Sequence, residues 1–288
     1  MSADPDRPPE FAAGELARRS PPGRSPTPSG RSARDWDAST YDRISGPQQR
    51  WAAEQLDRLH LHGDEVVLDA GCGSGRVTLE LVRRVPRGRV YAVDAAPSMV
   101  AHTRQALGDR VTALCQDLAQ LELPEPVDVV FSNATFHWIA DHDALFAALH
   151  RNLKPGGRLL AQCGGRGNVD AFRRVADEVA AESPFAAHFV GWQGPWNYAG
   201  AQETAQRLQG AGFVDVECWL QDKPTEPEEP RSFVSTVCLV RHLDLVPDDL
   251  RDPFIDAVME RAGRPLVLHY VRLNMSARRG RADAPGLF

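Results

Sequence analysis

The amino-acid sequence predicts an α/β fold: a seven-stranded, mostly parallel sheet with helices on both faces and an added helical lid. Short runs rich in β-branched residues alternate with segments of helical periodicity over most of the chain. Such alternation is typical of parallel sheets that are covered on both faces. A glycine-rich loop follows the first predicted strand, at the edge where open α/β sheets bind their ligands. The 42% content of hydrophobic residues is sufficient for a large core.

The individual elements follow from local patterns. Pro47 suits the first turn of a helix, and Trp51, Leu56 and Leu59 follow it at helical spacing. The Lys-Pro-Gly-Gly run at 154–157 is predicted to end a helix and turn into a strand. The predicted strands are 66–69, 90–94, 111–115, 127–132, 158–162, 214–220 and 267–277. The predicted helices are 47–60, 75–85, 97–108, 142–153, 168–182, 201–210, 230–242 and 247–262.

Composition limits the functions that we consider. The net charge of −6 argues against a broad nucleic-acid-binding face, which needs an excess of Lys and Arg. No apolar run reaches the length of a membrane span, and the first residues lack the apolar core of a signal peptide. We therefore expect a cytoplasmic protein, a monomer or a homodimer, that acts on a small molecule. The chain has five cysteines without a CxxC pair, so we expect no disulfide framework and no metal site: Cys72, Cys115, Cys163, Cys218 and Cys238.

The loop after the first strand distinguishes between nucleotide-type cofactors. Asp69 ends the strand, and glycines follow at alternate positions, Gly71, Gly73 and Gly75. The third glycine of a dinucleotide-binding GxGxxG would fall at Arg76, and a pyrophosphate disfavours a neighbouring acid. S-adenosylmethionine (SAM) carries an ammonium and a sulfonium, which a nearby carboxylate attracts. The loop therefore favours SAM over NAD; the alternatives are an NAD dehydrogenase and a tight turn without a ligand.

Two further acids follow the next two strands. Asp94 is placed to accept hydrogen bonds from both ribose hydroxyls, or alternatively to cap the helix that begins at Pro97. Asp117 is placed to accept a hydrogen bond from the adenine amino group, or alternatively is a solvated loop acid. The remaining residues that we expect at the cofactor are Ala95, Ala96 and Met99 beside the adenine, Leu118, and Asn133 after the fourth strand.

The fourth strand ends in a polar and aromatic run, residues 131–138, that is well placed to line a site of methyl transfer. His137 is the candidate general base within it, and Trp138 the candidate contact to a substrate. The alternative is that Phe136 and Trp138 belong to the core and that His137 is a hydrogen-bonded loop residue.

Together these motifs resemble the class I SAM-dependent methyltransferases, which implies a Rossmann-like fold, SAM as cofactor and methyl transfer as activity. The motifs stand in family order: DAGCGSG (69–75), VDAAPSM (93–99), CQDL (115–118), FSNATFHWIAD (131–141) and LKPGGRL (153–159).

A narrower resemblance is to the trans-aconitate methyltransferases. It is carried by WDASTYDRIS (36–45), the SNAxxHW element, GPWNY (194–198) and HYVRLNMSARR (269–279). The chain is also similar to insect juvenile-hormone acid methyltransferases, which implies that Tyr41, Gln48 and Trp138 face a substrate carboxylate. The residues expected to join them are Trp196, Tyr198, Tyr270 and Arg272; the alternative for Arg272 is a surface strand residue. The Pro-rich beginning of the chain and the loop at 163–167 depart from the family pattern.

The resemblance also divides the chain. We expect a disordered Pro/Arg/Ser-rich tail at 1–34, or alternatively a partner-binding arm, and a flexible tail at 280–288. Between them, one methyltransferase domain spans 35–279: lid helices at 35–62, the SAM-binding core at 63–167, and substrate-side helices and last strands at 168–279.

The expected reaction is carboxyl O-methylation of a small organic acid, with Gln48 orienting the acceptor. A carboxylate is ionised at neutral pH and needs no general base, whereas an alcohol or phenol needs one. The alternatives are O-, N- or C-methylation of a natural-product intermediate with His137 as base, and a non-catalytic SAM-binding partner protein.

Overall fold

The computed structural model describes residues 46–281, with side chains described from Arg50 onward. The predicted tail at 1–34, Tyr41 and the last seven residues lie outside the described residues, as does the side chain of Gln48.

The predicted seven-stranded, mostly parallel sheet is confirmed. Its spatial order is β3-β2-β1-β4-β5-β7-β6, with β7 antiparallel to both of its neighbours. The reversal of chain order at β1 and β4 creates the crevice in which ligands of open α/β sheets bind. The strands are β1 (Val66–Ala70), β2 (Arg89–Asp94), β3 (Thr112–Cys115), β4 (Val127–Asn133), β5 (Leu153–Gly164), β6 (Phe213–Thr225) and β7 (Leu268–Arg279).

The helices begin and end close to the predicted positions. They are α1 (Gly46–Arg58), α2 (Arg76–Arg84), α3 (Pro97–Leu107), α4 (His142–Asn152), α5 (Asp170–Ala180), α6 (Ala201–Gly210), α7 (Pro230–Phe233), α8 (Val240–Leu243) and α9 (Asp248–Ala262). Short 3₁₀ turns stand at Gly108–Arg110, Leu118–Gln120, Phe136–Trp138 and Ala186–His188.

Two apolar layers cover the sheet because successive residues of a strand point to opposite faces. On one face, Val67 packs in a cluster with Leu56 of α1 and Leu81 of α2. On the other, Leu68 packs in a cluster with Leu149 of α4 and with residues of α6. A third apolar cluster joins α1, α5, α7, α8, α9 and the start of β7. This third cluster forms the part of the molecule beyond the carboxyl end of β5.

Two predicted elements differ in detail. The predicted helix 230–242 is interrupted by a π-helical turn, Val234–Cys238, between α7 and α8. At 154–157 the predicted turn is found inside β5: Leu153 pairs with Val127 and Arg158 with Val129, so the chain bulges between these two pairs. Both differences are local backbone irregularities that residue periodicity does not encode.

Candidate active site

The glycine loop leaves the end of β1 and reaches toward β2 and β4. Gly71 donates its N–H to the carbonyl of Val93 at 2.8 Å and has φ +87°. A Cβ at Gly71 would stand 2.0 Å from Thr135 Oγ1, so the loop after β4 packs directly on this backbone. A Cβ at Gly73, in contrast, would meet no atom within 4 Å. The backbone at Gly73 is therefore open on the side where a ligand can approach.

The carboxylate of Asp69 is buried beside this loop. Its Oδ2 accepts a hydrogen bond of 2.6 Å from Thr78 Oγ1 of α2. Burial raises the pKa of Asp69 to about 7, although the Thr78 hydroxyl lowers it, and the negative charge of Asp94 raises it further. A cationic group beside Asp69 would stabilise the ionised carboxylate, which is the electrostatic condition that the sequence predicted for SAM.

Asp94 connects the glycine loop to the end of β2. Its Oδ2 accepts a hydrogen bond of 3.0 Å from the N–H of Gly73, and its Oδ1 accepts one of 2.9 Å from the N–H of Ala96. Burial raises the pKa of this carboxyl, whereas the backbone donors of Ala96 and Gly73 lower it. The N-cap residue of α3 is Ala96, and Asp94 lies two residues before it.

A cavity of about 680 Å³ opens over the glycine loop, within the size range of small-molecule sites. We call it the first cavity. It is lined by most of the residues predicted to bind the cofactor: Asp69, Gly71, Gly73, Asp94, Ala95, Met99, Asp117, Leu118 and Asn133. Gly75 is not among the lining residues; it precedes α2, and a Cβ there would stand 2.8 Å from Thr103 Oγ1. Asp117 lines the cavity while its Oδ1 accepts a hydrogen bond from the N–H of Ala119.

The predicted general base, His137, lies in the 3₁₀ turn after β4 and is buried. Its Nδ1 accepts a hydrogen bond of 3.2 Å from the backbone N–H of Gly164 at the end of β5. Burial, with the charge of Arg272 nearby, lowers the pKa of His137 well below its usual range. The neutral ring then carries its proton on Nε2, and its accepting nitrogen is engaged by the backbone. His137 does not line the first cavity, and this geometry does not favour a base.

A second cavity of about 70 Å³ adjoins the first, and Ala134 and Trp138 line both. Two arginines line it, Arg173 and Arg272, and its lining contains no acid. Its other lining residues are His137, Asn168, Val169, Phe172, Ala176, Trp196, Tyr198, Val237, Cys238, His242 and Tyr270. The four residues expected to join Trp138 at the substrate, Trp196, Tyr198, Tyr270 and Arg272, thus lie together here.

Arg272 is 2% exposed, so the alternative of a surface strand residue is wrong. Its guanidinium carbon lies 4.7 Å from the centre of the Trp51 ring, and its Nε donates to Gln162 Oε1 at 3.3 Å. Gln162 and Gln55 in turn donate to Asn274 Oδ1, at 2.8 and 3.0 Å. Buried amides of β5, β7 and α1 therefore fix this cation in place.

Stacked rings line the second cavity. Trp196 and Tyr198 are stacked with centres 6.2 Å apart, and Tyr198 also stacks on His137 at 5.6 Å. Arg173 lies over both Trp196 and Tyr198, at 5.9 and 5.7 Å. Burial raises the pKa of Tyr198 above its usual value, so this phenol stays protonated. The rings of Trp196 and Tyr198 thus form an aromatic wall with the guanidinium of Arg173 against it, a surface that suits a flat anion.

Three of the cavity-lining residues that sequence reasoning missed come from later helices of the chain. Arg241 of α8 lines the first cavity, and its guanidinium carbon lies 5.4 Å from the centre of the Trp138 ring. His242 and Arg173 line the second cavity. All three lie in helices without a recognisable motif, and only tertiary packing brings them to the site.

Residues 46–281 contain no group of three or more His, Cys, Asp or Glu side chains arranged to hold a metal ion. Their five cysteines are all free thiols. No helix in this range is both long enough and apolar enough to cross a membrane.

Comparisons with known proteins agree with this geometry. Residues 67–157 match a family model described as a methyltransferase domain. Trans-aconitate 2-methyltransferase of Methylobacterium nodulans is 34% identical over 186 residues, which cover 65% of this chain and 67% of the relative. This chain belongs to the class I SAM-dependent methyltransferases, of the trans-aconitate methyltransferase type. A second relative of that name, from Azoarcus sp., is 35% identical over 63% of this chain and 66% of its own length.

The fold of this methyltransferase also matches solved structures. Phosphoethanolamine N-methyltransferase 2 of Haemonchus contortus, in complex with phosphomonomethylethanolamine and S-adenosylhomocysteine, superposes with a TM-score of 0.55 at 19% identity. The match covers 85% of this chain and 57% of that one. At this identity the likeness concerns the fold alone.

Proposed function

We propose that this methyltransferase transfers the methyl group of SAM to a carboxylate oxygen of a small organic acid. The observation that carries the proposal is the pairing of the two cavities. The second cavity offers Arg173 and Arg272 and no acid, so it attracts an anion. His137, which lines the second cavity, has its accepting nitrogen occupied by the N–H of Gly164. The carboxylate is an acceptor that needs no base, and it is also an anion.

The residues of the first cavity would hold SAM by complementary contacts. The cofactor supplies a methyl group on a positively charged sulfur, and its transfer leaves a neutral thioether. Asp69 provides the negative charge for the cationic end, Asp94 the acceptors for the ribose hydroxyls, and Asp117 the acceptor for the adenine amino group. The open backbone at Gly73 leaves room for the amino-acid part of the ligand.

The protein itself contributes alignment rather than proton transfer. Arg272 and Arg173 would orient the anionic acceptor, and the wall of Trp138, Trp196 and Tyr198 would direct one carboxylate into the first cavity. Orientation of this kind accounts for up to about 7–11 kcal/mol of a reaction barrier in favourable systems. Attack by the carboxylate oxygen forms the ester C–O bond while the methyl–sulfur bond breaks, and no proton is moved.

Tyr41 and Gln48 remain part of the proposal as residues of the lid. Gln48 stands in α1 three residues before Trp51, whose ring packs on Arg272. Residues three apart in a helix are neighbours, so this position in α1 is compatible with a contact to the acceptor.

The proposal is tested with a panel of small mono-, di- and tricarboxylic acids, trans-aconitate included, and isotopically labelled SAM. We expect a methyl ester, identified by mass spectrometry and NMR, formed at a rate that does not fall between about pH 8 and pH 6.5 when SAM is saturating at every pH. A product methylated on a hydroxyl, nitrogen or carbon, with a rate that falls with pH in this window, would overturn the proposal. It would favour instead a base-dependent reaction on a natural-product intermediate.

A further inference from the structure

His242 of α8 is a buried histidine whose ring nitrogens make no hydrogen bond to any residue that the structure describes. Its side chain is 1% exposed and lines the second cavity. Its Nε2 lies 3.8 Å from Asp177 Oδ1, which is beyond hydrogen-bond length. Buried polar groups without a partner cost stability and are rare in native proteins, so each needs an explanation. A ligand in the cavity is such an explanation.

The surroundings of His242 are apolar on three sides. The ring of Trp192 lies 4.3 Å away and that of Trp196 5.8 Å away, and Phe189 and Phe254 complete the enclosure at 5.9 and 5.8 Å. The phenyl rings offer the imidazole neither a donor nor an acceptor, and the indole N–H groups of Trp192 and Trp196 make no hydrogen bond to its ring nitrogens. The second cavity is the side on which a polar partner can reach it.

The charged groups around His242 come from three elements. Asp177 and Arg173 face it from α5, and Arg173 and Arg272 line the same cavity. On α8 itself, Arg241 pairs with Asp244 at 3.5 Å. The lining of the cavity thus combines two cations with a histidine, a set that matches an oxygen-rich, anionic group.

The size of the cavity restricts that group. About 70 Å³ admits a few non-hydrogen atoms, such as a carboxylate, and excludes a ring or a long alkyl chain. The second cavity lies beside the first, so a ligand that spans both presents one end to the methyl donor and the other end to His242.

We propose that His242 binds the acceptor directly, through a hydrogen bond to an oxygen at the end remote from the methylated atom, and thereby selects acceptors with a polar remote end. This inference rests on the proposed function, which states that the methylated atom is a carboxylate oxygen. The selection by His242 concerns the opposite end of the molecule.

The test compares wild type, His242→Phe and His242→Gln, with His188→Phe as a matched control at an exposed histidine. The probes are the best acid of the panel and its analogue with a methyl group in place of the remote carboxyl. For His242→Phe we expect the KM of the acid to rise about tenfold or more, with SAM affinity unchanged and preference over the analogue lost. The melting temperature of the ligand-free variant should equal or exceed that of wild type, because an apolar ring of similar shape replaces an unsatisfied group.

A structural role for His242 predicts the reverse: a lower melting temperature with the acid KM and the preference intact. That result, or an unchanged KM in a stable His242→Phe, overturns the inference. His242→Gln retains hydrogen-bonding atoms and should recover most of the preference; a loss as large as in His242→Phe also overturns it. The methylated atom in the wild-type product tests the proposed function separately, since the ratio of variant to wild type is measured on whichever acceptor is turned over.

Discussion

The carboxylate of Asp94 accepts a hydrogen bond of 3.0 Å from the backbone N–H of Gly73, and this contact joins the end of β2 to the glycine loop. In the proposed function the same carboxylate also accepts hydrogen bonds from the ribose of SAM.

Asp94→Asn should weaken SAM binding by about 1.5–3 kcal/mol, because charge-assisted hydrogen bonds are replaced by neutral ones. Isothermal titration calorimetry measures this loss, and Asp109→Asn, at an exposed acid, is the control. A lower melting temperature with unchanged SAM affinity would assign Asp94 to the loop alone.

Asp69 should couple SAM binding to pH. Its pKa of about 7 lies above the ordinary value of 3.8, so part of the population is protonated at pH 6. A cationic ligand favours the ionised form, so binding at pH 6 should release a proton and SAM affinity should rise toward pH 7. Calorimetry in buffers of different ionisation enthalpy counts the released protons, and Asp69→Asn should abolish the release. Equal release in both proteins would exclude Asp69 as its source.

The same shift has a consequence for the ligand-free protein. A carboxyl whose pKa is raised on folding favours the protonated folded state, so its contribution to stability is lost as pH rises from about 4 to about 7. The melting temperature of Asp69→Asn relative to wild type should therefore increase over this interval. A constant difference would contradict the raised pKa.

Gly71 and Gly73 should respond differently to substitution. A Cβ at Gly71 collides with Thr135, so Gly71→Ala should lower the melting temperature strongly. Gly73→Val meets no protein atom at its Cβ, and its positive φ costs about 1–2 kcal/mol, so the variant should fold but lose SAM binding. Gly210→Ala, at the end of α6, is the control with neither a close neighbour nor a positive φ. Unchanged SAM affinity in folded Gly73→Val would remove the glycine loop from the cofactor site.

His137→Asn separates a structural from a basic role. The side-chain oxygen of Asn can accept the N–H of Gly164 in place of Nδ1, but it cannot take up a proton at neutral pH. We expect kcat within about tenfold of wild type for His137→Asn, and a loss of about 1–3 kcal/mol of stability for His137→Ala, whose backbone donor is left unpaired. Steady-state kinetics and thermal unfolding measure the two effects. A loss of activity in a stable His137→Asn variant would indicate that His137 acts as a general base.

Most of the fold could be predicted because strand and helix periodicities are local. The predicted strands 66–69 and 90–94 match β1 and β2, and their ends differ from the observed ends by at most one residue. The glycine loop could be predicted equally well, because its residues are contiguous in the sequence. The π-helical turn Val234–Cys238 could not be predicted, because hydrogen bonds between residues five apart, such as that from the N–H of Leu239 to the carbonyl of Val234, are specified by no residue type.

Cavity-lining residues could be predicted where they lie within a sequence motif. They could not be predicted where tertiary contacts bring them to the cavity. Asp69 and Asp94 line the first cavity as expected. The environment of His137 is set by Gly164, 27 residues away, and the burial of Arg272 depends on Trp51 of α1. Sequence spacing carries no information on such distant contacts, so neither the hydrogen bond at Nδ1 of His137 nor the burial of Arg272 could be predicted.

The two cavities are lined by different parts of the chain, and this has a consequence for the evolution of substrate specificity in such an enzyme. The first cavity is lined by residues that lie between 69 and 144, together with Arg241. Most residues that line the second cavity lie between 168 and 272, and Ala134 and Trp138 line both cavities. If the first cavity binds SAM and the second the acceptor, as proposed, substitutions in the later half of the chain can change which acceptors are methylated while SAM binding is retained. Under the proposed function, duplicated genes with this arrangement can therefore acquire new acceptors through substitutions in α5 and β7 while cofactor binding is retained.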